Sequence, residues 1–338
     1  NPETDGEYII KDKGDLLGFL SLSKSGENFE GKTIKLGADI TLNEPNVEAW
    51  AAGTATPTYR WTPIGTASNP FAGDFDGQEY SISGVYVKSK ATEVGFFGKT
   101  AGGSSIKNFR LLDSYIEQND ISGVWGVHTG SVVGLSGGDI DNVYSNATVK
   151  SQMHYYVGGI AGGVEPASNT DGKLTISNCW FDGNLDMVDG VSYIGGIVSR
   201  QNNGKLYFKN VLYTGHIKAN PTYDYAFVGG IMASNALAEG LETHFESVVS
   251  DGTYDIEKGV NYICTVASYL QNGFLNDKTP DVKAVNPKYS FKNVFATRGW
   301  GNAVDNGAVT RSDATVDKDG TKAGITSTMT LTGHVVQT

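Results

Sequence analysis

Ile140-Asp141-Asn142-Val143 is one of six copies of a single phrase: an apolar residue, any residue, Asn, an apolar residue. The others are Ile106-Lys107-Asn108-Phe109, Ile176-Ser177-Asn178-Cys179, Phe208-Lys209-Asn210-Val211, Phe245-Glu246-Ser247-Val248 and Phe291-Lys292-Asn293-Val294, with Ser247 replacing the amide once. Successive copies lie 34, 36, 32, 37 and 46 residues apart. Such a period belongs to solenoids, arrays and propellers, where each repeat buries its apolar face only against its neighbours.

A second phrase interleaves with the first. Its clearest copies are Val157-Gly158-Gly159-Ile160, Ile194-Gly195-Gly196-Ile197 and Val228-Gly229-Gly230-Ile231. Val94-Gly95-Phe96-Phe97 is one residue short, Thr129-Gly130-Ser131-Val132 is a variant, and Ile263-Cys264-Thr265-Val266 is worn. Both phrases place apolar residues three apart. A straight strand alternates with period two, so it would point them to opposite faces. Gly-Gly pairs and β-branched residues disfavour a helix. The consistent solution is a corner that resets the inside/outside phase, with Gly, or Asn as next best, admitting positive φ. Gly183, Gly215 and Gly252, each five residues past the Asn or Ser, and Ala147 at the same place, suggest a third bend.

Several short strands per repeat, stacked about 4.8 Å apart, make an all-β parallel β-helix. The expected inward rows are Ile106, Ile140, Ile176, Phe208, Phe245, Phe291 and Phe109, Val143, Cys179, Val211, Val248, Val294. Asn108, Asn142, Asn178, Asn210 and Asn293 should form a structural, hydrogen-bonded ladder worth about 1 kcal/mol per bond. The spacing between Gly corner and next Asn varies most, so insertions are expected on one edge, where binding loops commonly lie.

The chain of 338 residues reads as one continuous domain. Residues 1–90 supply an N-terminal cap and the first irregular coils, 91–304 the repeats, and 305–338 a closing strand or a linker. Tyr8-Ile9-Ile10 reads as a strand and Asp15–Leu20 as a short helix covering the open end. Residues 43–60 read as a polar loop, Phe75-Asp76-Gly77 as a turn, and Tyr80–Val87 as one strand.

With 44 Gly, 17 Tyr and a net charge of −11, the composition suits strands joined by tight turns and argues against nucleic acid, whose phosphates demand clustered Lys and Arg. No apolar run is long enough to span a bilayer. Cys179 and Cys264 fall on non-adjacent repeats, so no disulfide is expected, and no Cys/His spacing suits a metal. No cofactor is indicated. Asp74-Phe75-Asp76-Gly77 and Asp317-Lys318-Asp319-Gly320 look like fragments of calcium loops but lack the later ligands, and read as turns. No signal peptide stands at Asn1, and the polar opening suits a processed secreted protein as well as a cytosolic one.

Further residues carry a family resemblance. Asp15-Leu16-Leu17, Gly31–Leu36, Ala38-Asp39-Ile40, Trp61-Thr62-Pro63-Ile64-Gly65, Phe71–Gly77 and Ile82-Ser83-Gly84, followed by the two phrases above, resemble the GLUG-motif proteins over roughly residues 7–300. The resemblance implies a right-handed, pectin-lyase-like β-helix on an exported or surface-attached bacterial protein acting in adhesion. Some members carry the repeat beside a metallopeptidase that cuts immunoglobulin A, but no His-Glu-x-x-His occurs here. The family offers no catalytic residues to carry over.

Two functional readings follow. In the first, the chain is a non-catalytic module binding a glycan or a host or neighbour-cell protein. Tyr156, Tyr193, Phe227 and Tyr262, with His128, each precede a Gly corner and should point outward, with Tyr155 and Tyr225 nearby. These rings form either a platform for sugars or a self-supporting ladder that stiffens the sheet. In the second, the chain is a polysaccharide lyase or glycoside hydrolase, which needs paired acids. Asp182, Asp186 and Asp189 on one coil, and Asp251 and Asp255 two coils on, are the candidates, with no Lys or Arg expected beside them. Solvated turn acids are the plainer reading.

Overall fold

The computed structural model describes residues 6–119, 126–152, 155–187, 192–219, 226–236, 238–256, 262–264, 266–269, 288–296 and 329–332. Within them the chain is mainly short strands paired in parallel, with two α-helices. One cycle shows the logic. Strand Asp139–Ser145 is followed by Thr148–Ser151, Tyr155–Gly158 and Ala161–Val164. The chain then enters Lys173–Ser177, which lies parallel to Asp139–Ser145 with Ile176 opposite Ile140. Repetition of this cycle builds one sheet of 13 strands and three of six among the described residues.

The Asn positions turn the backbone as their sequence suggests. Asn108, Asn142, Asn178, Asn210, Ser247 and Asn293 all have φ between 52° and 56°. One left-handed residue inside an extended run shifts the pleat by one, so Ile140 and Val143 are both buried although three apart. Asn142 Nδ2 donates to Asn108 Oδ1 at 3.0 Å, and Asn210 Nδ2 to Asn178 Oδ1 at 3.2 Å. Asn108 and Asn178 donate instead to Asp76 Oδ1 at 3.0 Å and Asp141 Oδ1 at 2.8 Å. The amides therefore bond in pairs that end on carboxylates.

The Gly corners work by a different cause from the one expected. Gly158, Gly159, Gly195 and Gly196 are not among the residues with positive φ. Crowding excludes a side chain there: a Cβ on Gly159 would stand 2.0 Å from Gly196 O and 2.5 Å from the Phe181 ring. The third bend is the same, for a Cβ on Gly183 would lie 2.0 Å from Ala147 O. Glycine here lets coils approach and lets core rings lie flat on the backbone.

The interior is a set of apolar rows, each buried side chain contributing about 1.5–3 kcal/mol. Phe208, Phe245 and Phe291 stack at 5.0 and 4.8 Å with their planes within 11°. Cys179 and Cys264 are free and buried, and burial pushes the Cys179 thiol up to about 12.

Helix α1 (Lys13–Lys24) covers the N-terminal end. Asp12 caps it by accepting from Asp15 N at 3.0 Å, and Leu16, Phe19 and Leu20 face inward. Strand Glu7–Ile10 pairs with Thr33–Leu36 in the 13-stranded sheet, so the cap and the repeats share one sheet. Three local expectations change. Helix α2 (Val47–Ala52) forms inside the 43–60 stretch. Asp74–Asp76 is a strand, with Asp76 Oδ1 accepting from Gln78 N at 3.0 Å to begin the turn. Tyr80–Val87 is two strands on different sheets, Ser81–Ser83 and Tyr86–Ser89, broken where Gly84 takes φ 68°. Within 305–338, the described strand Met329–Thr332 pairs with Lys288–Ala296, and the Asp317–Gly320 stretch lies outside the described residues.

Candidate functional site

The ring column before the Gly corners is in register: His128, Tyr156, Tyr193, Phe227 and Tyr262 lie opposite one another on successive strands. Centroids are 4.9 Å apart for His128–Tyr156, 5.3 Å for Tyr156–Tyr193 and 4.8 Å for Tyr193–Phe227. The column is not an open platform. His128 is 6% exposed, Phe227 5% and Tyr155 8%, while Tyr156 and Tyr193 are half-buried.

The cause is the adjoining sheet, whose row Leu135, Gly163, Arg200 stands against the rings. A Cβ on Gly163 would lie 2.3 Å from His128 Cδ2, and the Arg200 guanidinium sits 4.6 Å over Tyr156. The sharp Gly corner folds the two sheets into a notch, and the rings fill it. Burial raises the Tyr156 and Tyr193 phenols. Burial first, then the nearby Arg200 charge, pushes His128 down to about 3, so its imidazole is neutral. Tyr225 and the side chain of Tyr262 lie outside the described residues.

A different row is more open. Two residues past each Asn or Ser stand Arg110, Tyr144, Trp180, Leu212, Val249 and Phe295, in register on successive coils. Trp180 is 39% exposed and Phe295 38%, and Tyr144, Leu212 and Val249 are half-buried. Tyr144 and Trp180 rings lie 4.7 Å apart. A polar row borders this ledge. Trp180 Nε1 donates to Thr214 Oγ1 at 2.7 Å, and Thr214 Oγ1 donates to Asp182 Oδ1 at 2.6 Å. Asn146 Nδ2 donates to Asp113 Oδ1 at 3.0 Å. The indole is thus pinned by its edge. The ledge's signal in the sequence is the position two past the Asn, next to the inward row.

The acids are also placed differently from expectation. Asp186 and Asp255 belong to a column Lys88, Glu117, Lys150, Asp186, Lys218, Asp255 in which the sign alternates at every coil. Lysines therefore do align beside them, because opposite charges on neighbouring parallel strands are mutually favourable. Lys88 Nζ lies 3.0 Å from Glu117 Oε2. A second alternating column runs Lys35, Asp76, Lys107, Asp141 on the 13-stranded sheet. Asp189 lies outside the described residues. Among the described residues no three His, Cys, Asp or Glu side chains come together as a metal would require.

No family model matches the chain. It is similar to halomucin from Haloquadratum walsbyi, with 29% identity over 166 residues. That match covers 48% of this chain and 2% of halomucin, so the chain spans only a small part of this relative. Among solved structures, a candidate immunoglobulin A1 protease from Bacteroides ovatus shares the fold, with a TM-score of 0.60 and 16% identity over 98% of this chain and 85% of that one. An IgA1 protease superposes with a TM-score of 0.48 and 14% identity, over 89% of this chain and 22% of that one.

Proposed function

We propose that the chain is a non-catalytic recognition module of an extracellular or surface-attached protein, built as a right-handed, pectin-lyase-like β-helix akin to the GLUG-motif proteins, and that it binds a glycan along the ledge. Parallel strands joined by crossovers are right-handed almost without exception, which supports the hand. The fold shared with the Bacteroides ovatus protein and the partial likeness to halomucin agree with a solenoid from an exported protein. The observation that carries the reading is Trp180: a large ring 39% exposed, fixed through Thr214 and flanked by the Tyr144 ring on one side and Leu212 on the other. Apolar C–H faces of a sugar match the rings, and its hydroxyls match the bordering carboxylates, amide and hydroxyl.

Because Trp180 adds little to the core, Trp180→Ala should leave the fold intact. Glycan arrays followed by calorimetry should show binding weakened at least about tenfold in Trp180→Ala, roughly 1.4 kcal/mol. Unchanged binding would remove the ledge from the reading. Release of reducing sugar or unsaturated product from the bound glycan would make the chain an enzyme instead.

A further inference from the structure

The stretch 43–59 is closed on itself. Asn43 Oδ1 accepts from Tyr59 N at 2.9 Å, and Asn43 Nδ2 donates to Tyr59 O at 2.9 Å and Gly84 O at 2.8 Å. Trp50, 4% exposed, packs edge-on against Tyr86 at 5.7 Å, and Tyr86 stacks on Tyr115 at 5.6 Å. The loop is held at its neck by one amide and at its middle by one indole. Compact loops closed in this way are frequently functional.

Between this loop and the start of α1 lies an open cleft of about 340 Å³, lined in part by Lys13, Glu44, Asn46, Pro57, Thr58 and Tyr59. Small-molecule sites begin at about this size. The two carboxylates nearest in sequence to Lys13 are engaged by backbone: Asp12 by Asp15 N and Asp15 by Lys11 N. The Lys13 ammonium stands 5.0 Å over the Tyr59 ring and makes no ion pair among the described residues. Glu44, Asn46 and Thr58 make no side-chain hydrogen bond to another described residue. Glu44, Asn46 and Thr58 stand exposed at its rim and Lys13 is half-buried, so the cleft offers one cation without a counter-ion, one carboxylate acceptor, an amide, a hydroxyl and the Tyr59 ring.

We propose that this cleft binds a carboxylated monosaccharide, its carboxylate on Lys13 and its hydroxyls on Glu44, Asn46 and Thr58. A neutral sugar leaves the ammonium unmatched. A simple anion supplies no hydroxyl to donate to Glu44. The site shares no residue with the Trp180 ledge and stands or falls independently of it.

The test is an NMR titration of the full chain with galacturonate, glucuronate, galactose and acetate, following the amides of residues 43–59. A uronate should shift them in a saturable way, with galactose and acetate at least about tenfold weaker, the size of one charge-assisted contact. Lys13→Gln should abolish the preference for uronate over galactose, and Asn46→Ala should weaken uronate while keeping that preference. Both positions are outside the core, and unchanged thermal melts confirm folding. No uronate binding up to about 20 mM, a standard free energy of only about 2.3 kcal/mol, would overturn the proposal. So would equal binding of galactose or acetate, or binding unaltered in Lys13→Gln.

Discussion

Asn142 sits where a side chain with a Cβ is costly, at φ 53°, and holds two acceptors, Asn108 Oδ1 at 3.0 Å and Glu79 Oε1 at 2.8 Å. The two contributions separate by substitution. Asn142→Gly loses the bonds but relieves the backbone, and should cost about 1 kcal/mol. Asn142→Ala loses the bonds and keeps the strain, for about 2–3 kcal/mol. Urea midpoints of the two variants measure the difference, and equal losses would show that the left-handed backbone is not what selects Asn. His128 offers a second test. Its folded-state value is about 3, against about 6.5 when unfolded. Above about pH 6.5 both states are neutral and the group has no effect on stability. As pH falls below that, the unfolded chain takes up a proton that the fold refuses, so stability drops by about 1.4 kcal/mol per unit down to about pH 3. His128→Phe, which places the ring type of Phe227 in the same column, should make the acid limb of stability shallower by one proton. Urea unfolding across about pH 6 to 4 gives the slope, and an unchanged slope would mean the buried imidazole is not the titrating group.

Elements divide by what a one-dimensional pattern can hold. Asn and apolar spacing fixed strand, bend and inward row together, because each coil is its own template: Ile106, Ile140, Ile176 and Phe208 are all buried. Parity indicates which way Tyr156 and Tyr193 point, but openness depends on the neighbouring sheet, where Gly163 and Arg200 come from two successive strands. The Gly corners were located correctly for the wrong reason, since a sequence does not distinguish a glycine needed for its dihedral from one needed for its lack of bulk. The alternating charges were invisible until register set Lys150 opposite Asp186 and Asp186 opposite Lys218. The helix at 47–52 is not legible in the sequence because six residues are too few for a periodic signal and its one buried anchor, Trp50, packs on distant Tyr86.

At the scale of the whole molecule, each coil packs mainly on the coils above and below it, so the stack should tolerate loss of one. Excising residues 142–177 joins Asp141 to Asn178, the residue after Asp141's register partner Ser177, and removes one cycle. The shortened chain should still unfold in one cooperative step, at lower temperature. Two new conflicts arise: with Lys150 gone, Glu117 comes to face Asp186, and with Gly163 gone, Arg200 takes its place beside the buried His128 ring. Only the first responds to salt. Screening reaches about 3 Å at 1 M salt and 10 Å at 0.1 M. Melting followed by circular dichroism should therefore show salt stabilising the shortened chain more than its parent. Failure to fold at any salt concentration would show that the coils are not interchangeable units.

The column from Lys88 to Asp255 has a further consequence for how such a chain can lengthen. Its sign repeats every second level, so copying a single level would set two lysines or two acids face to face, whereas copying two adjacent levels together would preserve every attraction. Tandem duplication would then keep every attraction of this column only in even steps, a doublet of about seventy residues at a time.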